Sequence, residues 1–196
     1  MKLAMMLPLL FLFAVTGHAQ TDDTAAGVIP PVFLLLSDTS YNIGDEGPAG
    51  GVVFYTTGSG LHGLEAAPAD QGAFTWGCYG TNVAGVDDIP DSATPDSNSG
   101  AVNTPLIVAA CGVSPAAGAA TAYVWPNGQT DGFLPNKEEL NLLYLQRNVV
   151  GGFALSLYWS SSEYDASFAW HQSFFDGNPS ANDKRGENRV RAVRAF

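Results

Sequence analysis

Between Lys2 and Lys137 the chain contains no lysine or arginine. Residues 20–136 hold twelve acids, whereas residues 137–196 hold seven acids and seven bases. The formal net charge of −11 excludes a nucleic-acid partner, because phosphates demand a basic surface. The same repulsion points away from other anionic polymers. Charge of either sign is scarce, at 14% of 196 residues against about a quarter in ordinary domains. Two cysteines are too few for a zinc site. The 22 glycines follow no three-residue period, which excludes collagen. No G-x-S-x-G elbow and no EF-hand spacing occurs. What the chain does have is apolar content, 46%, enough to bury a core in one domain of ordinary size.

The apolar residues are concentrated first at the start. Lys2, an apolar stretch over residues 3–15 and the small residues of Gly17-His18-Ala19 have the order of an export signal, with cleavage before Gln20. We therefore expect residues 1–19 to be a signal peptide, 20–40 a flexible leader and 41–196 the domain. No cysteine follows the signal, so no lipid anchor is expected. No later run of eighteen apolar residues exists, so no membrane-spanning segment is expected in the mature chain. The location is exported: periplasmic, cell-surface or extracellular. In an oxidising compartment Cys78 and Cys111 are expected to pair, a bridge worth about 3–4 kcal/mol for a loop of this length. The alternative is two buried free thiols.

Periodicity and turn chemistry then place elements. Strands are expected at 52–55, 62–67, 157–162, 167–175 and 189–196, the last with a bulge near Val193-Arg194. Thr104-Pro105 is expected to open a short helix ending at Gly112, with Leu106, Ile107, Ala110 and Cys111 inward. Asn136 with Glu139 three residues on predicts a second, capped helix running to Asn148. Residues 79–104 are expected to be a long polar loop. About five strands with two central helices give an α+β class, not an alternating βαβ one.

Gly47-Pro48-Ala49-Gly50-Gly51-Val52-Val53-Phe54-Tyr55, Leu64-Glu65-Ala66-Ala67-Pro68, Gly132-Phe133-Leu134-Pro135-Asn136-Lys137-Glu138-Glu139-Leu140, Tyr158-Trp159-Ser160-Ser161-Ser162-Glu163 and Val190-Arg191-Ala192-Val193-Arg194-Ala195-Phe196 stand in that order. Together they resemble the Lcl C-terminal-domain family, a bacterial family named from a collagen-like adhesin, over about residues 41–196. The resemblance implies a C-type-lectin-like fold, related to the formylglycine-generating-enzyme-like group. That means a twisted antiparallel sheet with two helices, long loops and adjacent termini, used mostly for binding.

The chemistry-bearing residues lie on this frame. His171 with Ser160, Ser161 or Ser162 could suggest a hydrolase, and the cysteines an oxidase, but neither has a supporting motif, and no enzyme activity is expected. Two loops are rich in oxygen ligands: Asp87, Asp88, Asp91 and Asp96 in the first, Asp176, Asn178, Asn182 and Asp183 in the second. Calcium at the first is the one cofactor this pattern suggests; bare, solvated loops are the expectation. Tyr164, His171, Asp176, Asn178, Asn182 and Asp183 are the ligand-binding set, an aromatic with polar neighbours. On strand 167–175, Phe168, Trp170, Gln172 and Phe174 are expected inside and His171 with Ser173 outside, while Trp159 is expected in the core. Lys184, Arg185, Arg189, Arg191 and Arg194 are expected to neutralise nearby acids through surface ion pairs of little weight, with docking of the acidic first part as the lesser alternative. The expected function is an exported bacterial binding or adhesion domain recognising a glycan or protein through loops near 79–100 and 163–188. The alternative is a structural component of an envelope or appendage assembly.

Overall fold

A computed structural model describes residues 39–91, 93–111 and 115–196; the expected signal peptide and nearly all of the expected leader lie outside them. The chain is α+β, with twisted sheets, four helices among the described residues and one disulfide. Among the described residues eight strands run in chain order as β1 (Val52–Thr56), β2 (Gly63–Ala66), β3 (Gly72–Thr75), β4 (Leu157–Glu163), β5 (Phe168–Ser173), β6 (Pro179–Asp183), β7 (Glu187–Val190) and β8 (Val193–Ala195). They form a three-stranded sheet, β1-β2-β8, and a five-stranded sheet, β3-β7-β4-β5-β6. All pairings are antiparallel except β4 with β7. No helix of the described residues is long and apolar enough to cross a membrane.

Between β3 and β4 lie α1 (Gly100–Cys111), α2 (Pro115–Thr121), α3 (Lys137–Leu145) and α4 (Arg147–Val150). α3 follows the sequence expectation closely. The Asn136 side chain accepts from Glu139 N at 2.7 Å, and Glu139 Oε2 accepts from Asn136 N at 2.8 Å, a reciprocal cap for two orphan donors. The same Glu139 oxygen accepts from Gly100 N at 3.1 Å, so one carboxylate ties together the starts of two helices.

α1 begins earlier than expected, at Gly100, with Pro105 inside it. Thr104 is not its cap: the Thr104 hydroxyl donates to Leu134 O at 3.2 Å and accepts from Leu134 N at 3.0 Å, pinning the helix to the segment leading into α3. Only glycine fits at its start, since a Cβ on Gly100 would lie 2.3 Å from Leu134 O. Its buried residues are Gly100, Asn103, Thr104 and Ile107; of the four expected, Ile107 is buried and Leu106 and Cys111 pack half-buried against the core, while Ala110 is exposed. Cys111 at its end is bonded to Cys78, with Cα atoms 5.1 Å apart.

The five-stranded sheet is covered on both faces, and this overturns the inside-outside reading of β5. One apolar cluster, with Trp76, Trp125, Trp159, Ala169 and Ile107, includes α1 and α2. The other, with Phe54, Leu140, Leu143, Tyr158 and Phe174, includes α3 and β1. Trp159, Trp170, Gln172 and Phe174 are buried as expected, but so is His171, while Phe168 at the strand's end is exposed. Strict alternation holds only where one face is wet.

Three further expectations are corrected. The sequence expectation lacks β3, β6 and α2, the expected helix from Asn136 to Asn148 breaks at Gln146 into α3 and α4, and the second oxygen-rich loop contains β6. The expected last strand is two strands in different sheets, parting at Arg191-Ala192 where the backbone crosses from β7 to β8. At the domain's ends the Tyr41 and Phe196 rings meet edge to face at 5.1 Å.

Candidate functional site

Of the regions singled out in the sequence, residues 76–89 meet 163–167 and 183–185 at one end of β4, β5 and β6. Gly80 N donates to Ala166 O at 2.8 Å, Ile89 N to Glu163 O at 2.9 Å and Val83 N to Glu163 Oε2 at 2.9 Å. Trp76 N donates to Lys184 O, and Lys184 N to Ser167 O, both at 3.0 Å. At the centre the Lys184 ammonium and the Glu163 carboxylate form an ion pair with both side chains fully buried. Burial raises the Glu163 carboxyl above its ordinary value, and hydrogen bonds from Lys184 and Val83 pull it back. This is the opposite of the exposed, low-weight pairing expected for Lys184.

On top of this junction lie aromatic faces. Tyr79 is 47% exposed and the Arg185 guanidinium stacks on its ring at 3.9 Å. Phe168 is 39% exposed, and Tyr164 meets it edge to face at 6.5 Å. Arg185 donates to both Asp183 oxygens, at 3.0 and 2.7 Å, which holds Asp183 down at about 2. The backbone beneath Tyr79 is in conformations that side chains rarely adopt: Gly77, Cys78 and Gly80 all have positive φ, with Cys78 at 53°. A non-glycine residue there is strained, and the bond to Cys111 holds it.

The expected ligand set divides over the molecule. Tyr164, Asn182 and Asp183 lie at this junction, and Asn182 Nδ2 donates to Asn188 Oδ1 at 3.3 Å. Asp176 and Asn178 lie at the far end of the β5–β6 hairpin, bonded to each other at 2.7 Å. His171 is between the ends, 8% exposed, its ring 6.2 Å from Trp159 and its Nδ1 without a partner; burial pushes it down to about 4. It is not an outward ligand contact. Ser160 Oγ donates to Trp170 O and Ser162 Oγ to Asp96, while Ser161 Oγ and His171 Nδ1 are each buried without a partner, so no serine–histidine hydrogen bond joins them.

The four first-loop aspartates are taken up one by one. Asp87 accepts from Ser97 N and Oγ and from Asn98 N. Asp88 accepts from Asn82, and Asp91 from Ala93 N. Asp96 accepts from Ser162 Oγ at 2.5 Å and from Lys137 N at 3.1 Å. Among the described residues no three His, Cys, Asp or Glu side chains gather around a common centre. Asp96 also faces Glu138; burial first, then this neighbour, pushes it up to about 7. Beside them a cavity of about 380 Å³ is lined by Lys137, Glu138, Asn141, Leu142 and Pro179.

Sequence reasoning missed Tyr79 and Arg185 as a stacked pair and misplaced Phe168. A tyrosine directly after the first cysteine was the available signal, but without the left-handed turn nothing sets it outward. No protein-family model matches the chain, and no curated protein sequence does.

Proposed function

We propose that the chain is an exported bacterial binding domain of the Lcl C-terminal type, with a C-type-lectin-like fold, which recognises a glycan or a protein at the junction of residues 77–91 with 163–187. The observation that carries this reading is the pair of exposed aromatic faces, Tyr79 and Phe168, with the half-buried Tyr164 beside them, held on a buried ion pair and rimmed by Asp183 and Arg185. Aromatic platforms with polar neighbours on a rigid base suit sugar rings and protein hot spots alike. The strained turn at Cys78 and the ordered set of sequence motifs support it. A glycan array and a pull-down from bacterial surface and host proteins at physiological salt test it: a specific partner is expected, and none from either would overturn it.

The second reading, a structural part of an envelope or appendage assembly, has its own observation. Leu155 is 77% and Phe175 73% exposed at the opposite end of the β4–β5 pair, and the adjoining Ser156 O accepts from Phe174 N. Sedimentation of the wild type against Leu155→Asp/Phe175→Asp tests it; a concentration-dependent assembly lost in the variant is its expected result.

A further inference from the structure

We propose that the Lys184 ammonium is a built-in cation, standing where a loop-built binding face would otherwise hold a metal ion, and that it positions residues 76–89 against 163–167. The inference rests on that junction being the binding face.

The surroundings of Lys184 Nζ are those of a cation site. It meets Glu163 Oε1, the Thr81 carbonyl at 3.2 Å and the Ala166 carbonyl at 3.2 Å, three acceptors for three N–H bonds. The Trp76 ring lies 4.7 Å away and offers its negative face to the same charge. Oxygen donors from a carboxylate and two backbone carbonyls are the set a hard cation takes. Each donor comes from a different piece of chain: Thr81 from the loop after the strained turn, Glu163 from the end of β4, and Ala166 from the β4–β5 turn. Glu163 carries the link further, because its second oxygen accepts from Val83 N and its carbonyl from Ile89 N. Removing the charge at the centre therefore loosens three segments at once. It also strands a buried carboxylate, whose ordinary response is to take up a proton.

A metal ion reaches such a site by mass action, so loops built on it respond to ion concentration. A tethered ammonium is present at fixed stoichiometry. The charge pattern of the sequence accords with this: no lysine or arginine occurs between Lys2 and Lys137, so the cation for the acidic first loop has to come from the far end of the chain.

Lys184→Ala removes three methylenes and the ammonium, which is n-propylammonium in outline. The full mature chain carrying this substitution is melted at pH 8, where Glu163 is under most pressure to ionise, with n-propylammonium chloride and with tetramethylammonium chloride at the same ionic strength. Wild type should be indifferent to both salts. Lys184→Ala should melt about 10 °C lower, recover at least half of that loss in n-propylammonium and none in tetramethylammonium. Hydrogen exchange at the Val83 and Ile89 amides should quicken in the variant and slow again on rescue. Lys184→Met/Glu163→Gln, which removes both charges, should fold and ignore n-propylammonium. A variant destabilised but not rescued overturns the proposal, as does equal rescue by the two salts, or a Lys184→Ala chain that melts with the wild type. If Lys184→Ala does not fold alone, it should fold in n-propylammonium; failure there also overturns it. None of these readouts involves the glycan or protein ligand, so the outcome separates this inference from the binding reading.

Discussion

Asp96 Oδ1 and Glu138 Oε2 are both buried without a hydrogen-bond partner, and burial first, then Glu138 beside it, favours a proton on Asp96. The Asp96 carboxyl is raised from 3.8 to about 7, so the fold binds this proton more tightly than the unfolded chain does. Its stabilisation is complete below about pH 4 and is lost as pH rises through about 7. Asp96→Asn places an N–H₂ donor where the proton was. It should raise the melting temperature by a few degrees at pH 8 and give no gain at pH 4. His171 acts in the opposite sense: its pKa is lowered from 6.5 to about 4, so stability from keeping it neutral is present above about 6.5 and lost as pH falls towards 4. His171→Phe should remove that acid-side loss in a melting series from pH 7 to pH 4. Neither environment was legible in the sequence. In the sequence Asp96 is one of four solvated loop aspartates, and only the packing of residues 93–99 against α3 sets it against Glu138. His171 looked outward because alternation was read with one dry face, while the sheet has two.

At the level of elements, local chemistry explains what could be read. The Asn136–Glu139 cap is contained in four residues, and α3 starts where they predict, though it ends at Leu145 and not at Asn148. Asn136→Ala should cost about 1 kcal/mol in denaturant unfolding, with more in this case if the bond from Gly100 to Glu139 loosens as well. α1 was misread because Thr104-Pro105 is a good helix start in isolation. Its real beginning at Gly100 is set by contact with Leu134, a residue 34 places away that no window of sequence contains. β3 and β6 are short and polar or glycine-rich, so neither carries a period that stands out; they are strands because β7 and β5 offer them partners. The Cys78–Cys111 bridge fastens α1 to the strained turn under Tyr79, across 33 residues. Reduction should lower stability by about 3–4 kcal/mol in denaturant unfolding, and proteolysis should cut first between the two cysteines.

Over the whole molecule the segregation of charge becomes a device of the fold. Of the seven bases beyond residue 136, six reach back to residues before it. Lys137 donates to Thr94 O, Lys184 to Thr81 O, Arg185 stacks on Tyr79, Arg189 and Arg191 both hold Asp70, and Arg194 bridges Glu65 and Asp131. Arg147 alone stays local, on Tyr144. The lesser alternative in the sequence, an acidic first part docked on the basic end, is therefore what the fold does within one chain; only Arg185–Asp183 is the local surface pair expected. Arg191 is fully buried and Asp70 nearly so, and Arg191→Ala should cost about 3–5 kcal/mol, since it strands a buried charge. Arg185→Ala, on an exposed side chain, should leave the melting temperature unchanged. That contrast separates scaffold from surface: Arg185 and Tyr79 can be altered without harming the fold. The measurement that bears most directly on the binding face uses this freedom. Wild type and Tyr79→Ala/Phe168→Ala, matched in melting temperature, are compared for affinity towards the glycan or protein that wild type selects from the array or pull-down. A loss of tenfold or more in the variant is expected; equal affinity would contradict the assignment of this surface.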